Sequence, residues 1–340
     1  MIKVAIVILN WNGEAFLKKF LPTVVSHSKH EGVIVVVADN GSTDNSVALL
    51  ANSFPSVQTI RLDRNYGFAG GYNRALSQVD ADYYLLLNSD VEVPEGWLQP
   101  LIAFMDEHPH AGACMPKILD YNRPGYFEYA GAAGGFIDWL GYPFCRGRIL
   151  SEIEADTGQY DSTTQVFWAG GASMFIRSKA YWEAGGLDDD FFAHMEEIDL
   201  CWRLNNLGYT VWCVPASRVY HVGGGTLPNS NPRKLYLNYR NSLYMLYKNL
   251  PTGARIATLG LRLSLDWASL FIYLVTFRFA YANAVLGAHY HFCRAIYPLG
   301  LKRKKLSGKK YPSTIFNRMI LIEFFVRKRR KFSQLGFFTA

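Results

Sequence analysis

The chain has 340 residues, half of them hydrophobic, and a formal net charge of +7. That length holds one large α/β domain plus an appendage, and that share of apolar residues excludes an intrinsically disordered chain. The charge is split: residues 1–227 carry 15 basic and 26 acidic side chains (net −11), whereas residues 228–340 carry 20 and 2 (net +18), an acidic body with a basic tail. Five cysteines, at 114, 145, 201, 213 and 293, form no CxxC pair and no metal-ligand spacing. Such a scattered, odd set fits core thiols in a reducing cytoplasm. Met1-Ile2-Lys3 runs straight into Val4–Leu9, an apolar run too short for a secretory signal.

From the first residues, strand and helix signals alternate. Val4–Leu9, Val33–Ala38, Val57–Leu62 and Tyr83–Leu87 are short apolar, β-rich runs that predict buried strands. Helical spacing falls between them at about 14–27, 44–54 and 69–79, and again near 95–108. This rhythm predicts an α/β fold with a doubly wound, mainly parallel sheet. Residues 110–165 are rich in Gly, Tyr and Phe without clear periodicity, and predict irregular chain with short strands. Gln165–Ile176 predicts a further strand crossing a Gly170-Gly171 break. A helix is expected from Glu196 to Leu207, ended by Gly208, then strands at Tyr209–Val214 and Arg218–Val222.

Past Pro228 the character changes, giving an expected body at 1–227 and a helical, basic extension at 228–340. Residues 233–250 predict an amphipathic helix rich in Tyr and Leu. Residues 256–299 are apolar but interrupted by Arg262, Asp266, Arg278 and His289. The longest uncharged run, Trp267–Phe277, falls short of the roughly 20 residues that span a bilayer. Helices lying in the membrane interface are therefore expected over a tilted span carrying Arg278. The basic runs Lys302–Lys305, Lys309-Lys310 and Arg327–Lys331 point to anionic lipid as partner. No nucleic-acid recognition motif accompanies them.

The chemistry-bearing residues fall where strands end. In Tyr84-Leu85-Leu86-Leu87-Asn88-Ser89-Asp90 a buried run closes on an amide and a carboxylate one residue apart, which leave the strand on the same side. Oxygen donors at a strand's carboxyl end suit a divalent cation shared with a substrate diphosphate. Asn10-Trp11-Asn12-Gly13 ends the first strand, and Asp39-Asn40-Gly41-Ser42-Thr43-Asp44 ends the second. Thr43 or Asp44 there reads equally as a helix N-cap. Arg64–Asn73 supplies a glycine-rich turn before a helix, whose N-terminus favours phosphate. Farther on, Asp188–Arg203 carries Glu196, Glu197 and Asp199 at a helix start. Acids there complement the helix dipole, but a Glu beside Gly170-Gly171 also suits a general base. His221, before Gly223-Gly224-Gly225, reads as a metal ligand or a core histidine.

Taken in order over residues 3–250, these segments resemble the family 2 glycosyltransferases of the GT-A fold, in particular their rhamnosyltransferase-like branch. The resemblance implies an inverting transfer of a sugar, L-rhamnose first, from a dTDP- or UDP-sugar. The basic, amphipathic tail fits an acceptor glycan carried on a polyprenyl diphosphate at the inner membrane face. Asn10, Asn12 and Asp39, with Asn65 and Asn73, would hold the donor nucleotide. Asp90, His221 and Asn88 would hold Mg2+ or Mn2+, Asn88 standing where the family usually has an acid. Glu197, with neighbouring Glu196 as the alternative, matches the catalytic base. Trp168, Gly170, Gly171 and Asp199 would line the acceptor side, and Arg240 and Asn241 would meet a phosphate. A processive polysaccharide synthase is the nearest alternative, but its Gln-x-x-Arg-Trp motif and multiple spans are not found. A sugar nucleotidyltransferase lacks its phosphate loop here, and an inactive membrane scaffold is countered by Asp90, Glu197 and His221.

Overall fold

The computed structural model describes residues 2–223, 231–306 and 308–337. It opens with β1 (Val4–Asn10), α1 (Glu14–His27), β2 (Val33–Asp39), α2 (Ser46–Ser53), β3 (Gln58–Arg61), α3 (Gly67–Leu76) and β4 (Tyr83–Asn88). A short β5 (Val91–Glu92) and α4 (Gln99–Glu107) lead to the long β6 (Ala111–Asp120). Short strands follow as β7 (Gly135–Ile137), β8 (Pro143–Cys145), β9 (Arg148–Ile149), β10 (Glu152–Ile153) and β11 (Thr164–Val166). The body closes with β12 (Ser173–Arg177), α5 (Ser178–Glu183), α6 (Glu196–Asn206) and β13 (Thr210–His221). Three long helices come next: α7 (Pro232–Asn249), α8 (Thr252–Val275) and α9 (Phe279–Lys305).

The main sheet runs β11-β13-β6-β12-β4-β1-β2-β3, with β5 added beside β13. The expected parallel sheet is found in β3-β2-β1-β4, whose apolar runs are buried on both faces. Beyond β4 the sheet is mixed, because β12 runs antiparallel to both β4 and β6. The strand expected over Gln165–Ile176 is in fact two strands in different places. Between them Trp168 exchanges backbone bonds with Gly135 at 3.1 Å and draws the chain out of the sheet. Conversely, the two strands expected around 209–222 are one, with its register shifting between Val214 and Arg218. Pro215, which lacks an amide donor, sits in that irregularity. β7 to β10 form a separate four-stranded sheet from the segment whose periodicity was weak.

The division expected at 227/228 lies outside the described residues, as do Gly224 and Gly225. On either side of it the hydrophobic core is continuous: Leu243, Leu246, Leu299, Phe316, Phe332 and Leu335 belong to the same buried cluster as β1 and β4. Residues 308–337 return across the small sheet as a strap. Ile320 N donates to Asp138 Oδ2 and Phe332 N to Glu154 Oε1, each at 3.0 Å. The basic run at 327–331 is partly neutralised within it, since Arg327 and Arg329 pair with buried Glu323 at 2.7 and 2.8 Å. Four cysteines are buried as expected, whereas Cys293 is exposed.

The apolar region 256–299 forms the α8–α9 hairpin, turning at Thr276–Arg278 with Phe277 at φ 56°. Arg262 and Asp266, which interrupt the pattern, face inward. Arg262 Nε donates to Asp266 Oδ1 at 3.0 Å, and His289 Nε2 lies 3.3 Å from Asp266 Oδ2. Among the described residues α8 is the one helix long and apolar enough to cross a membrane.

Candidate active site

Three strand ends meet along one edge of the sheet. Asn10 pairs in register with Asp39, and Leu9 with Asn88. The Asn10 amide donates to Asp39 Oδ1 and to Ser42 Oγ, both at 3.2 Å, and Ser42 N returns to Asp39 Oδ2 at 3.0 Å. Asn12, at φ 50°, accepts from Thr43 N at 2.7 Å. Asp44 accepts from Ser46 N at the start of α2 and from Glu14 N at the start of α1, at 3.1 and 3.0 Å. Its carboxylate therefore ties two helix starts together, and those bonds hold its pKa low against the opposing pull of burial. Gly13 is required here, because a Cβ would lie 2.4 Å from Asn10 Oδ1. The indole of Trp11 is half exposed beside this loop.

Asp90 meets His221 because β5 turns back onto the end of β13: His221 pairs with Val91, and Val222 N donates to Asp90 O at 3.1 Å. His221 Nε2 lies 3.1 Å from Asp90 Oδ1 and 3.4 Å from the Asn88 amide. Behind the ring, Nδ1 faces Glu128 Oε1 at 3.4 Å. Burial lowers the imidazole pKa, but the bonds and charges of Asp90 and Glu128 outweigh it and push it up to about 10. Glu128 comes from the segment without periodicity and gave no sequence signal.

This donor set fits a hard divalent cation sharing its coordination with a diphosphate. Glu128 faces Nδ1 and leaves Nε2 on the Asp90 side, so a cation bound there would displace the Nε2 proton, giving a metal-bound histidine backed by a carboxylate. Rotating the Asn88 amide brings its oxygen to the same point. Among the described residues no three His, Cys, Asp or Glu side chains form a metal group. The set is one carboxylate, one imidazole and one amide, so negative charge must come from the ligand.

Glu197 approaches from the other side. A Cβ on Gly171 would stand 3.9 Å from Glu197 Cβ, and the next residue's carbonyl, Ala172 O, accepts from Asn88 N at 3.0 Å. The acid and the strand ends therefore lie across a two-residue bridge. Glu196 Oε2 and Glu197 Oε2 are buried, without a hydrogen-bond partner among the described residues. Burial raises the Glu197 pKa to about 7 and pushes Glu196, which also feels Glu197, well above its usual value. A carboxyl poised near neutrality suits proton abstraction from a hydroxyl.

Other sequence-selected residues serve the scaffold. The amides at the start of α3 meet protein acceptors: Phe68 N and Ala69 N bond Phe192 O at 2.6 and 3.3 Å, and Gly67 N bonds Asn65 Oδ1 at 2.8 Å. Asn73 holds the 187–189 turn, donating to Leu187 O and Asp189 Oδ1 at 2.7 and 2.6 Å. Trp168 is buried against Gly135 and donates to Phe136 O at 3.0 Å, while Gly170 packs on Gly131. Asp199 is fully buried and accepts from Arg203, Lys248 and Asn249 at 2.8–2.9 Å.

Arg240 and Asn241 clamp the loop that leads into Glu197. Arg240 donates to Asp190 O and Phe191 O, both at 2.9 Å. Asn241 Nδ2 reaches Phe191 O, Ala193 O and His194 O at 3.0, 2.9 and 2.7 Å. The loop needs holding, because Phe192, His194 and Met195 all have left-handed φ, between 64° and 72°, a costly state for side-chain-bearing residues. Asn241→Ala is expected to lower stability by about 2 kcal/mol and kcat roughly tenfold to a hundredfold. Diphosphate affinity should be unchanged; thermal unfolding, steady-state kinetics and calorimetry on one preparation check this.

The sequence model for "Glycosyl transferase family 2" matches residues 5–176, just over half of the chain. An "N-acetylglucosaminyl-diphospho-decaprenol L-rhamnosyltransferase" of Mycobacterium tuberculosis is 28% identical over 234 residues, covering 64% of this chain and 75% of that protein. The rhamnosyltransferase WbbL of Escherichia coli K12 is 25% identical over 229 residues, covering 64% and 83%. Among solved structures, GalNAc-T7 with UDP, GalNAc and Mn2+ superposes with a TM-score of 0.58 at 16% identity, over 74% of this chain. This chain spans about half of that one (49%), and the likeness is one of fold, GT-A. The matched segment contains the strand ends at Asn10, Asp39 and Asn88–Asp90 and the Gly171 bridge, and the chain belongs to glycosyl transferase family 2.

Proposed function

We propose that this glycosyltransferase moves L-rhamnose from a dTDP-sugar to a hydroxyl of a lipid-linked glycan, inverting the anomeric centre. The observation that carries the reading is the pairing of the Asn88–Asp90–His221 cluster with Glu197 across the Gly171–Ala172 bridge. The names of the relatives support the sugar, and the decaprenol in one of them supports the lipid-linked acceptor. A UDP-sugar donor is the next choice, in keeping with the UDP in the GalNAc-T7 structure.

Asn10, Asn12 and Asp39 form the edge against which the nucleoside lies, with Trp11 exposed for contact with the base. Mg2+ or Mn2+ held by Asp90, His221 and Asn88 would neutralise charge on the departing diphosphate. Glu197 takes the proton of the acceptor hydroxyl as its oxygen attacks the anomeric carbon from the face opposite the diphosphate. One displacement inverts that centre. Gly171, without a side chain, lets the Phe68 ring and Glu197 close on the chain at this point, a Cβ there standing 3.2 Å from Phe68. The protein acts at the inner face of the cell membrane, its cationic extension against anionic lipid.

Calorimetry with dTDP, UDP, GDP and CMP, each with and without Mn2+, tests the reading. Binding of dTDP that strengthens at least tenfold with Mn2+ is expected. If none of the four nucleotides binds, with or without the metal, the strand-end site does not hold a donor.

A further inference from the structure

The α8–α9 hairpin carries a surface that the transfer chemistry does not use. Level with the start of α7, Leu270, Ala282 and Val285 pack against Leu235 and Tyr239. Beyond that level Tyr273 still reaches α7, bonding Tyr239 and packing on that cluster, but the other residues of 271–280 are exposed around it. Residues 271–281 form about two helical turns, roughly 10 Å of protein. Phe271 is 65% exposed and Phe277 80%, and Ile272, Leu274, Val275 and Phe279 are exposed beside them. The one charge in the tip is Arg278, at the turn, on a side chain long enough to bend back towards a polar boundary.

The layers behind the tip are ordered. Trp267 lies 5.9 Å from the His289 ring across the hairpin, and both Trp267 and Tyr290, the next residue of α9, are exposed. Farther back α9 carries Arg294 and then Lys302–Lys305. Only two acidic residues occur after residue 227, and both, Asp266 and Glu323, are buried in internal ion pairs. The described surface of the extension is thus cationic. Apolar tip, aromatic rim and basic flank follow the depth profile of a lipid interface.

We propose that the tip formed by residues 271–281 docks into one leaflet of an anionic bilayer, to a depth of about 10 Å, without crossing it. The depth is set by the exposed apolar side chains of the tip, and α7, which meets the tip through Tyr239 and Tyr273, carries Arg233 in its first turn. Arg233 stacks over Phe192 at 5.4 Å, in the loop that leads to Glu197. Docking therefore brings the mouth of the site to headgroup level, where the diphosphate of a lipid-linked acceptor lies. The inference deepens the membrane partner of the proposed function and rests on it for the acceptor alone.

Co-sedimentation of the full chain with vesicles of phosphatidylethanolamine and phosphatidylglycerol tests it. The wild type is expected to sediment, and Phe277→Glu/Phe279→Glu to lose on the order of a hundredfold in partitioning. Replacing phosphatidylglycerol with phosphatidylcholine should weaken wild-type binding at least tenfold. Mn2+-dependent dTDP affinity of the double variant should equal that of the wild type, which shows an intact fold. A wild type that stays in the supernatant, or a double variant that sediments as the wild type does, overturns the proposal. So does binding indifferent to lipid charge. Light scattering that finds a dimer abolished by the same two substitutions would assign the tip to a second copy and overturn it as well. Failure of every nucleotide to bind would remove the transfer reading and leave the vesicle result standing.

Discussion

Glu197→Gln is expected to lower kcat by about three to four orders of magnitude while leaving donor affinity unchanged, because the amide cannot take the acceptor proton. The pH profile of the unaltered enzyme gives an independent check. Burial holds the Glu197 carboxyl protonated up to about pH 7, so kcat/KM should climb with pH through that value as the base ionises and level off above it. The rising limb belongs to the coupled pair, since Glu196 lies next to it and is pushed higher still. Glu196 is still protonated where Glu197 ionises, so Glu196→Gln should leave the limb close to its place, with a much smaller loss of rate. The reverse pattern, a collapsed rate in Glu196→Gln and near-normal turnover in Glu197→Gln, would exchange the two roles.

The second large effect is expected at Asp90. Asp90→Ala should abolish metal-dependent binding of the nucleoside diphosphate and reduce transfer at least about a thousandfold. The fold should survive, as the aspartate projects from a strand end into a polar cluster rather than into the core. Asn88→Asp is the informative opposite. It adds the charge that the present set lacks, and Mn2+ affinity in calorimetry should rise roughly tenfold or more. If Asn88→Asp leaves Mn2+ affinity unchanged, Asn88 is not part of the coordination.

The parallel half of the sheet was legible because its strands are buried on both faces and read as unbroken apolar runs. Its strand ends were legible for the same reason, since each run stops at a polar residue. The acceptor half was not. Gln165–Ile176 shows its Gly170-Gly171 interruption in sequence, but not that the chain leaves the sheet already at Trp168 to pair with Gly135. Glu128 sits in a segment held by tertiary contacts rather than by local periodicity. Asn73, Asp199, Arg240 and Asn241 show a further limit: sequence marks them as polar residues in functional company, but not what they hold. Each is engaged with backbone or buried charge around residues 187–199, so they shape the site from behind.

The strap across the small sheet bears on how the chain is made. Asp138 waits for an amide 182 residues later, and Glu154 for one 178 residues later. During synthesis both carboxylates, and the aromatic cluster of Phe136, Phe144, Phe316 and Phe332, stay incomplete until residues 316–332 have left the ribosome. Contacts so distant in sequence form late and leave apolar surface uncovered meanwhile. A nascent chain paused before residue 320 is therefore a client for chaperones rather than a working fragment, and donor binding should emerge abruptly, once Phe332 is free to pack.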